Sequence, residues 1–325
     1  MGSAIDNPVA GTGDGGMLVN SVRAMRPIRS RRSLRRTLAA LLLVVSGVAL
    51  ANITLALQHA LVSGPSWQDS LASLTLAMLG MTLVWRGLTA DETSASIMGY
   101  AGGALLWMGF FEWTWANWSV WLGIEPLMVD GQPSLPASLL LVQASGFIFL
   151  PLVLLMAANR DTRCRMMRWC RRRLHLATPA PDVRHQNNAA RVAATETVFV
   201  IWFIYLLNIA LYDPRLLGHV PQLYYGAVAI IAGWGLYLVT RLARIRNTGM
   251  AIRYAIPTAY LLSIPVDAMT MAGWFPAVWI QPLQYPVAAG VAASLFLLSV
   301  LTLRHSSLDV KDTPSDRART AVLAQ

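Results

Sequence analysis

The fold is decided by residues 97–127, which read IMGYAGGALLWMGFFEWTWANWSVWLGIEPL and carry one carboxylate, Glu112, near the middle of a long apolar run. On an α-helix each residue advances by roughly 100°. The side of Glu112 then holds Gly102, Gly109, Ala116 and Ser119, and the opposite side holds Trp107, Phe111, Trp118 and Trp121. Small residues let membrane helices approach each other, and ionisable residues avoid lipid. The pattern therefore predicts a transmembrane helix with Glu112 facing the protein interior.

The composition of the whole chain is typical of a polytopic membrane protein. Of its 325 residues, 55% are hydrophobic and 13% are charged, whereas soluble domains carry about 25% charged residues. Several apolar runs also reach the length of about 20 residues that a helix needs to cross a bilayer. The chain is therefore expected to be all-α, with its helices in the lipid bilayer.

Eight transmembrane helices are predicted, with both termini in the cytoplasm. Their limits are residues 38–61, 70–88, 97–122, 136–158, 195–212, 223–240, 253–275 and 285–303. In this layout the cytoplasmic segments contain 25 of the 26 lysines and arginines, and only Arg215 lies outside. Positive charge concentrates in cytoplasmic loops, so this distribution supports the layout and predicts a bacterial inner (plasma) membrane protein. It also explains the net charge of +10 without a nucleic-acid partner.

The two ends of the chain, residues 1–37 and 304–325, are predicted to be disordered, and the first of them is basic. The run SRRSLRR at Ser30–Arg36 resembles a twin-arginine export signal, and the ALA at Ala49–Ala51 resembles a cleavage site. The apolar run continues to about Val62, however, which is longer than the 7–15 residues of a signal peptide. We therefore expect the first helix to be retained as a membrane anchor.

A basic linker, residues 159–194, joins the fourth and fifth predicted spans. Its stretch Arg163–Arg173 can form an amphipathic helix that binds anionic lipid headgroups at the inner membrane surface, and the alternative is a solvated positive loop. Cys164 and Cys170 lie in the same linker, and their spacing fits no standard zinc pattern. Neither a zinc site nor a disulfide framework is expected from them.

The two halves of the chain resemble each other when the sequence is shifted against itself by 156 residues. The residues that coincide include Asn52 with Asn208, Trp118 with Trp274, Pro126 with Pro282 and, after a slip of one residue, Gly80 with Gly235 and Glu112 with Asp267. We interpret this pattern as a 4+4 tandem repeat of residues 38–158 and 195–303. Because four spans return the chain to its starting side, the halves are predicted to share one orientation, related by a pseudo-two-fold axis along the membrane normal.

Four polar residues that the repeat pairs within spans are the candidate binding residues. Glu112 and Asp267 are carboxylates deep in their spans, where such groups are costly and mark proton, cation or ligand sites. The alternative for both is a protonated carboxyl group that is hydrogen-bonded between helices. Asn52 and Asn208 lie mid-span and are candidates for the same site, although interhelical hydrogen bonds alone would also explain them.

No catalytic motif stands out. The sequence has no Walker A loop, no G-x-G-x-x-G before a helix, no H-E-x-x-H and no G-x-S-x-G. Of the five histidines only His59 approaches a span, so intramembrane haem ligation is not expected and no cofactor is implied.

Three classes of function remain open. A transporter or permease of a small solute or ion is favoured by the tandem repeat and the paired carboxylates. A non-catalytic membrane subunit or assembly factor, bound to membrane-protein partners, is favoured by the lack of catalytic motifs. A membrane enzyme that modifies a lipid or isoprenoid would use the two carboxylates as acid and base. A continuous polar path to both faces would indicate the first class, and a pocket open to lipid or to one aqueous side would indicate the third.

Overall fold

The computed structural model describes residues 26–62, 66–158, 172–173 and 189–311, which form a bundle of helices. The helices are α1 (Arg26–Leu61), α2 (Trp67–Gly87), α3 (Glu92–Leu106), α4 (Trp113–Trp121), α5 (Ala137–Ala144), α6 (Gly146–Ala158), α7 (Ala189–Tyr212), α8 (Pro221–Leu242), α9 (Thr248–Met271) and α10 (Pro286–Lys311). A π-helical segment, Trp107–Glu112, joins α3 to α4. The lipid-binding stretch predicted at Arg163–Arg173 lies outside the described residues except for its last two arginines, and so do both cysteines.

Five of the described helical stretches are long and apolar enough to cross a membrane, as expected of a multi-pass membrane protein. They are Leu34–Leu61, Ala137–Leu154, Ala189–Tyr212, Pro221–Leu242 and Pro286–Ser306. The other three predicted spans coincide with α2, with the continuous rod formed by α3 and α4, and with α9. α3 and α4 are separate α-helices of 15 and 9 residues, each too short to cross a membrane by itself, whereas α2 and α9 carry polar and charged residues that lower their mean hydropathy.

The outermost helices extend past the predicted limits of their spans. α1 begins at Arg26 rather than near residue 38, and α10 continues to Lys311 rather than ending at residue 303. Pro27 lies in the first turn of α1, where a backbone N–H would have no partner within the helix, so its absence costs no hydrogen bond. Neither glycine nor proline interrupts the arginine-rich segment that follows. Arg36 donates a hydrogen bond to the backbone oxygen of Ile245 at 3.2 Å. This bond ties the N-terminal third of α1 to the loop after α8.

Four helices form the inside of the bundle. α3 packs along α7, and α9 packs along α1, while α2, α8 and α10 pack on the outside of α3, α9 and α1 respectively. The outer helices and α6 expose large apolar side chains, among them Met78, Phe147, Ile148, Ile230, Leu236, Leu297 and Leu298. An exposed apolar surface of this extent suits contact with lipid.

Glycine lets α3 approach two of its neighbours closely. A Cβ atom on Gly99 would lie 2.3 Å from a backbone oxygen of α7, and one on Gly80 of α2 would lie 2.7 Å from the backbone oxygen of Gly102. In the second half of the chain, a Cβ atom on Gly235 of α8 would lie 2.7 Å from the Leu262 side chain of α9. Gly80 and Gly235, which the sequence pairs, thus both lie where an outer helix meets an inner one.

The helices α3 and α9 begin with the same kind of cap. The side chain of Asp91 accepts a hydrogen bond from the N–H of Ser94 at 3.3 Å, and the side chain of Asn247 accepts one from the N–H of Met250 at 2.8 Å. Such caps satisfy a backbone donor that has no partner within the helix. Both capping residues and both donors are separated by 156 positions in the sequence, the same shift that aligns the two halves.

A short β-hairpin between α4 and α5 departs from the all-α prediction. Strand β1 (Leu127–Val129) pairs antiparallel with β2 (Gln132–Leu135). Asp130 and Gly131 form the turn with φ values of 52° and 76°, as Asp-Gly does in tight hairpins whose turn matches the strand twist. The Asp-Gly pair is a readable hairpin signal that the all-α prediction left unused.

Arg215, the basic residue that the layout leaves outside, is paired in the structure. Its Nη2 atom lies 2.7 Å from Oδ2 of Asp213 and donates to Oε1 of Gln143 in α5 at 2.9 Å. The Asp213 side chain is fully buried, and the Gln143 amide donates to it at 2.9 Å. The hydrogen bonds from Arg215 lower the pKa of Asp213 to about 2. The carboxylate is therefore ionised at neutral pH and balances the charge of the arginine.

Candidate functional site

A cavity of about 370 Å³ lies between the four inner helices. Its wall comes from α1, from the junction of α3 with the π-helical segment, from α7 and α9, and from Trp279 in the loop before α10. Most of the wall is aliphatic. Its polar side chains, besides two tryptophans, are Asn52, Tyr205, Asn208, Tyr260, Ser263 and Asp267. An apolar cavity with a few placed polar groups is the usual form of a small-molecule site.

Three of the four predicted site residues line this cavity. Asn52 reaches it from α1, Asn208 from α7 and Asp267 from α9. Glu112 is not part of the wall, but it is hydrogen-bonded to Trp107 and Tyr205, which are. The predicted repeat pairs the two carboxylates, but their positions differ: Asp267 is in the wall, and Glu112 lies one side chain behind it.

Glu112 accepts hydrogen bonds from two side chains, Tyr205 and Trp107. The hydroxyl of Tyr205 donates to both carboxylate oxygens, at 3.1 Å and 2.9 Å, and the indole Nε1 of Trp107 donates to Oε2 at 3.0 Å. A carboxyl group away from water needs such partners, because an unpaired one carries the full cost of desolvation. The bond from Tyr205 also links the π-helical segment to α7.

The position of Trp107 corrects the helical-wheel prediction, which placed it opposite Glu112. In an α-helix, residues five apart differ by about 140° in direction. In a π-helical turn the backbone bonds join residues five apart, so Trp107 and Glu112 lie on the same side. Trp107 is accordingly 2% exposed, whereas Trp118 and Trp121, beyond the π-helical segment, are exposed as predicted.

An aromatic cluster packs around Trp107. The centroid of its ring lies 5.2 Å from that of Tyr205, 5.1 Å from that of Trp115 and 5.3 Å from that of Phe111. Trp202 of α7 extends the cluster, 6.0 Å from both Phe111 and Trp115. These contacts hold the Trp107 and Tyr205 rings in place on one side of the cavity.

Asp267 of α9 is also part of the cavity wall. Its side chain is half-buried in the wall, and none of the described residues donates a hydrogen bond to its carboxylate. Nearby, Oδ1 of Asn208 is buried without a hydrogen-bond partner among the described residues. The carboxylate of Asp267 is therefore an acceptor in the cavity wall to which no described residue donates a hydrogen bond.

At the end of the bundle where α3 and α9 begin, an ion pair joins these two inner helices. Arg253 of α9 lies 2.8 Å from Glu92 of α3, and Asn247 donates to the other oxygen of Glu92 at 2.9 Å. The Arg253 side chain is only 6% exposed. Sequence reasoning assigned Arg253 to the cytoplasmic charge pattern and did not select Glu92. Their contact joins residues 161 positions apart, so no local sequence pattern predicts it.

Within the part of the chain that the structure describes, no three His, Cys, Asp or Glu side chains lie together as a metal site would require. No family model matches the chain, and no curated protein or solved structure matches it significantly. The cavity and its polar residues are therefore the basis for assigning a function.

Proposed function

We propose that the protein is a transporter or permease of a small solute, and that the cavity is its solute site. The proposal rests on which helices form the cavity wall. α1 and α3 belong to the first predicted half, and α7 and α9 belong to the second. In transporters built from repeats, the substrate site lies at the interface between the repeats.

The packing of the helices supports the 4+4 repeat on which this proposal depends. The pairing of α1 with α9 is the counterpart of the pairing of α7 with α3, as a two-fold axis between the halves requires. The caps at Asp91 and Asn247 and the close approaches at Gly80 and Gly235 are further matched features. We propose a pseudo-two-fold axis that passes through the cavity, with both termini on the cytoplasmic side of a bacterial inner membrane.

The two ends of the inner helices differ, which fits one state of an alternating-access cycle. The wall includes Trp279, in the loop where α9 ends, whereas the ends where α3 and α9 begin are joined by Glu92 and Arg253. In the cycle we propose, breaking the ion pair between Glu92 and Arg253 opens a path from the cavity to the end where α3 and α9 begin. Asp267 binds the solute or a coupling cation, and its binding is transmitted to Glu112 through Tyr205.

The test is access to the cavity from both sides of the membrane, which needs no knowledge of the solute. In a background with Cys164→Ser and Cys170→Ser, Ser263→Cys places one thiol in the wall. A membrane-impermeant thiol reagent is applied to right-side-out and to inside-out vesicles. A transporter must expose this thiol to both solutions, so labelling is expected in both preparations.

The control is Thr89→Cys, an exposed position in the turn before α3, which should be labelled from the cytoplasmic side alone. Labelling of Ser263→Cys from one side alone would contradict transport and favour an enzyme pocket. Labelling from neither side would favour a non-catalytic subunit or assembly factor.

A further inference from the structure

We propose that the ligand of this cavity is a small organic cation, a protonated amine with an apolar body, for which Asp267 is the counter-ion. This inference names the solute class and rests on the proposed function for its role in transport. It follows from the charge, the aromatic rings and the hydrogen-bond acceptors of the wall, taken in turn.

Asp267 alone carries a formal charge among the described residues that line the cavity. A carboxylate in a mostly apolar cavity attracts a cation strongly and repels an anion, because the low dielectric weakens screening. Burying a carboxylate without a partner is costly, and no described residue donates a hydrogen bond to the side chain of Asp267. A cationic ligand would remove that cost.

Four aromatic side chains line the same cavity: Trp107, Tyr205, Tyr260 and Trp279. Trp107 and Tyr205 lie together, with ring centroids 5.2 Å apart, whereas Tyr260 comes from α9 and Trp279 from the loop before α10. The faces of such rings attract ammonium groups, tryptophan most strongly, and sites for organic ammonium ions are often built from them. The rings and Asp267 therefore favour the same kind of ligand.

The hydrogen bonds of the wall leave acceptors for the ligand. The hydroxyl of Tyr205 donates its proton to Glu112, so its oxygen can only accept from a ligand. An ammonium group carries only donors, which makes it complementary to this oxygen and to the carboxylate of Asp267.

The volume limits the size of the ligand. About 370 Å³ lies at the small end of the roughly 300–1,000 Å³ range of small-molecule sites. A bare alkali cation would leave most of this space empty and its aromatic wall unused. A single ring or short chain that bears one ammonium group fits the volume, and it can contact both the apolar wall and the carboxylate.

The experiment uses three probes of one shape and different charge: benzylamine, which is protonated at neutral pH, neutral benzyl alcohol, and benzoate. Their binding to the purified full chain in lipid nanodiscs is measured by isothermal titration calorimetry. Benzylamine is expected to bind about tenfold or more tightly than benzyl alcohol, and benzoate is expected not to bind. The preference should disappear in Asp267→Asn and persist in Asp267→Glu and in Asp130→Asn, a matched change at an exposed carboxylate.

Equal binding of the alcohol, tighter binding of benzoate, no binding of any probe, or an unchanged preference in folded Asp267→Asn would each overturn the inference. Should Asp267→Asn fail to fold, the three probes on the unmodified chain and on Asp267→Glu still decide the charge preference. A charge preference without two-sided labelling of Ser263→Cys would leave an amine-binding site and refute transport. Two-sided labelling with a preference for benzoate would support transport and refute the amine-binding site.

Discussion

At the scale of single residues, two hydrogen-bond donors hold the side chain of Glu112 in its position. Tyr205 and Trp107 approach it from α7 and from its own helix, and both belong to the cavity wall. The residue therefore has a structural task, to satisfy two donors, alongside the functional one that we propose. A substitution can separate the two tasks if it keeps an acceptor and removes the ionisable group.

We expect Glu112→Ala to lower the free energy of unfolding by about 2–4 kcal/mol, because it leaves a void and strands the donors of Tyr205 and Trp107. Glu112→Gln keeps one acceptor oxygen and the shape of the side chain, so it should cost clearly less while removing the charge. Thermal unfolding in detergent micelles provides the comparison. Glu125→Ala, at an exposed position, is the control and should leave the melting temperature unchanged. Equal losses for the alanine and glutamine variants would show that the acceptor does not matter.

At the scale of secondary structure, the rod formed by α3 and α4 determines the site through two departures from an ordinary helix. The π-helical segment turns Trp107 towards Glu112, and π-helical turns inside helices occur often at functional sites. The glycines of α3 bring its backbone against α7 and α2. Together they place Trp107 and Tyr205 in one wall, which a regular helix with larger residues would not do.

The close approach of α3 to α7 gives a prediction for glycine. Gly99→Ala is expected to destabilise the protein by about 1–3 kcal/mol, since its new Cβ would overlap a backbone oxygen that cannot move independently. Gly233→Ala in α8 is the matched control, because nothing lies within 4 Å of its added Cβ and alanine is the better helix former. Chemical or thermal unfolding of both variants would measure the difference. Equal stability of the two would mean that α3 and α7 are not packed backbone to backbone.

At the scale of the whole molecule, the helices form an inner group around a cavity and an outer group facing lipid. In the predicted layout with cytoplasmic termini, Arg215 is the one basic residue placed outside. Its charge is balanced by Asp213, so it does not weigh against that layout. The orientation of the chain can therefore be tested by itself, without reference to the solute.

Reporter fusions test this layout directly. Fusions after Val129, Val220 and Gln284 are expected to report the outside, and a fusion after Arg173 is expected to report the cytoplasm, because the basic segments stay inside. Paired alkaline phosphatase and fluorescent-protein reporters provide opposite signals at each site. An external signal after Arg173 would contradict both the eight-span layout and the parallel orientation of the halves.

The sequence by itself determined the membrane class, the helical segments and three of the residues that meet in the cavity. Composition and apolar run lengths are local properties, and polar residues inside apolar runs are rare enough to be noticed, so Asn52, Asn208 and Asp267 could be selected. Only the tertiary structure decided that Trp107 faces Glu112, because a π-helical turn breaks the 100° period on which a helical wheel depends. The contacts of Tyr205 with Glu112 and of Arg253 with Glu92 join residues 93 and 161 positions apart. Such contacts depend on how helices pack side by side, which no local pattern in the chain encodes.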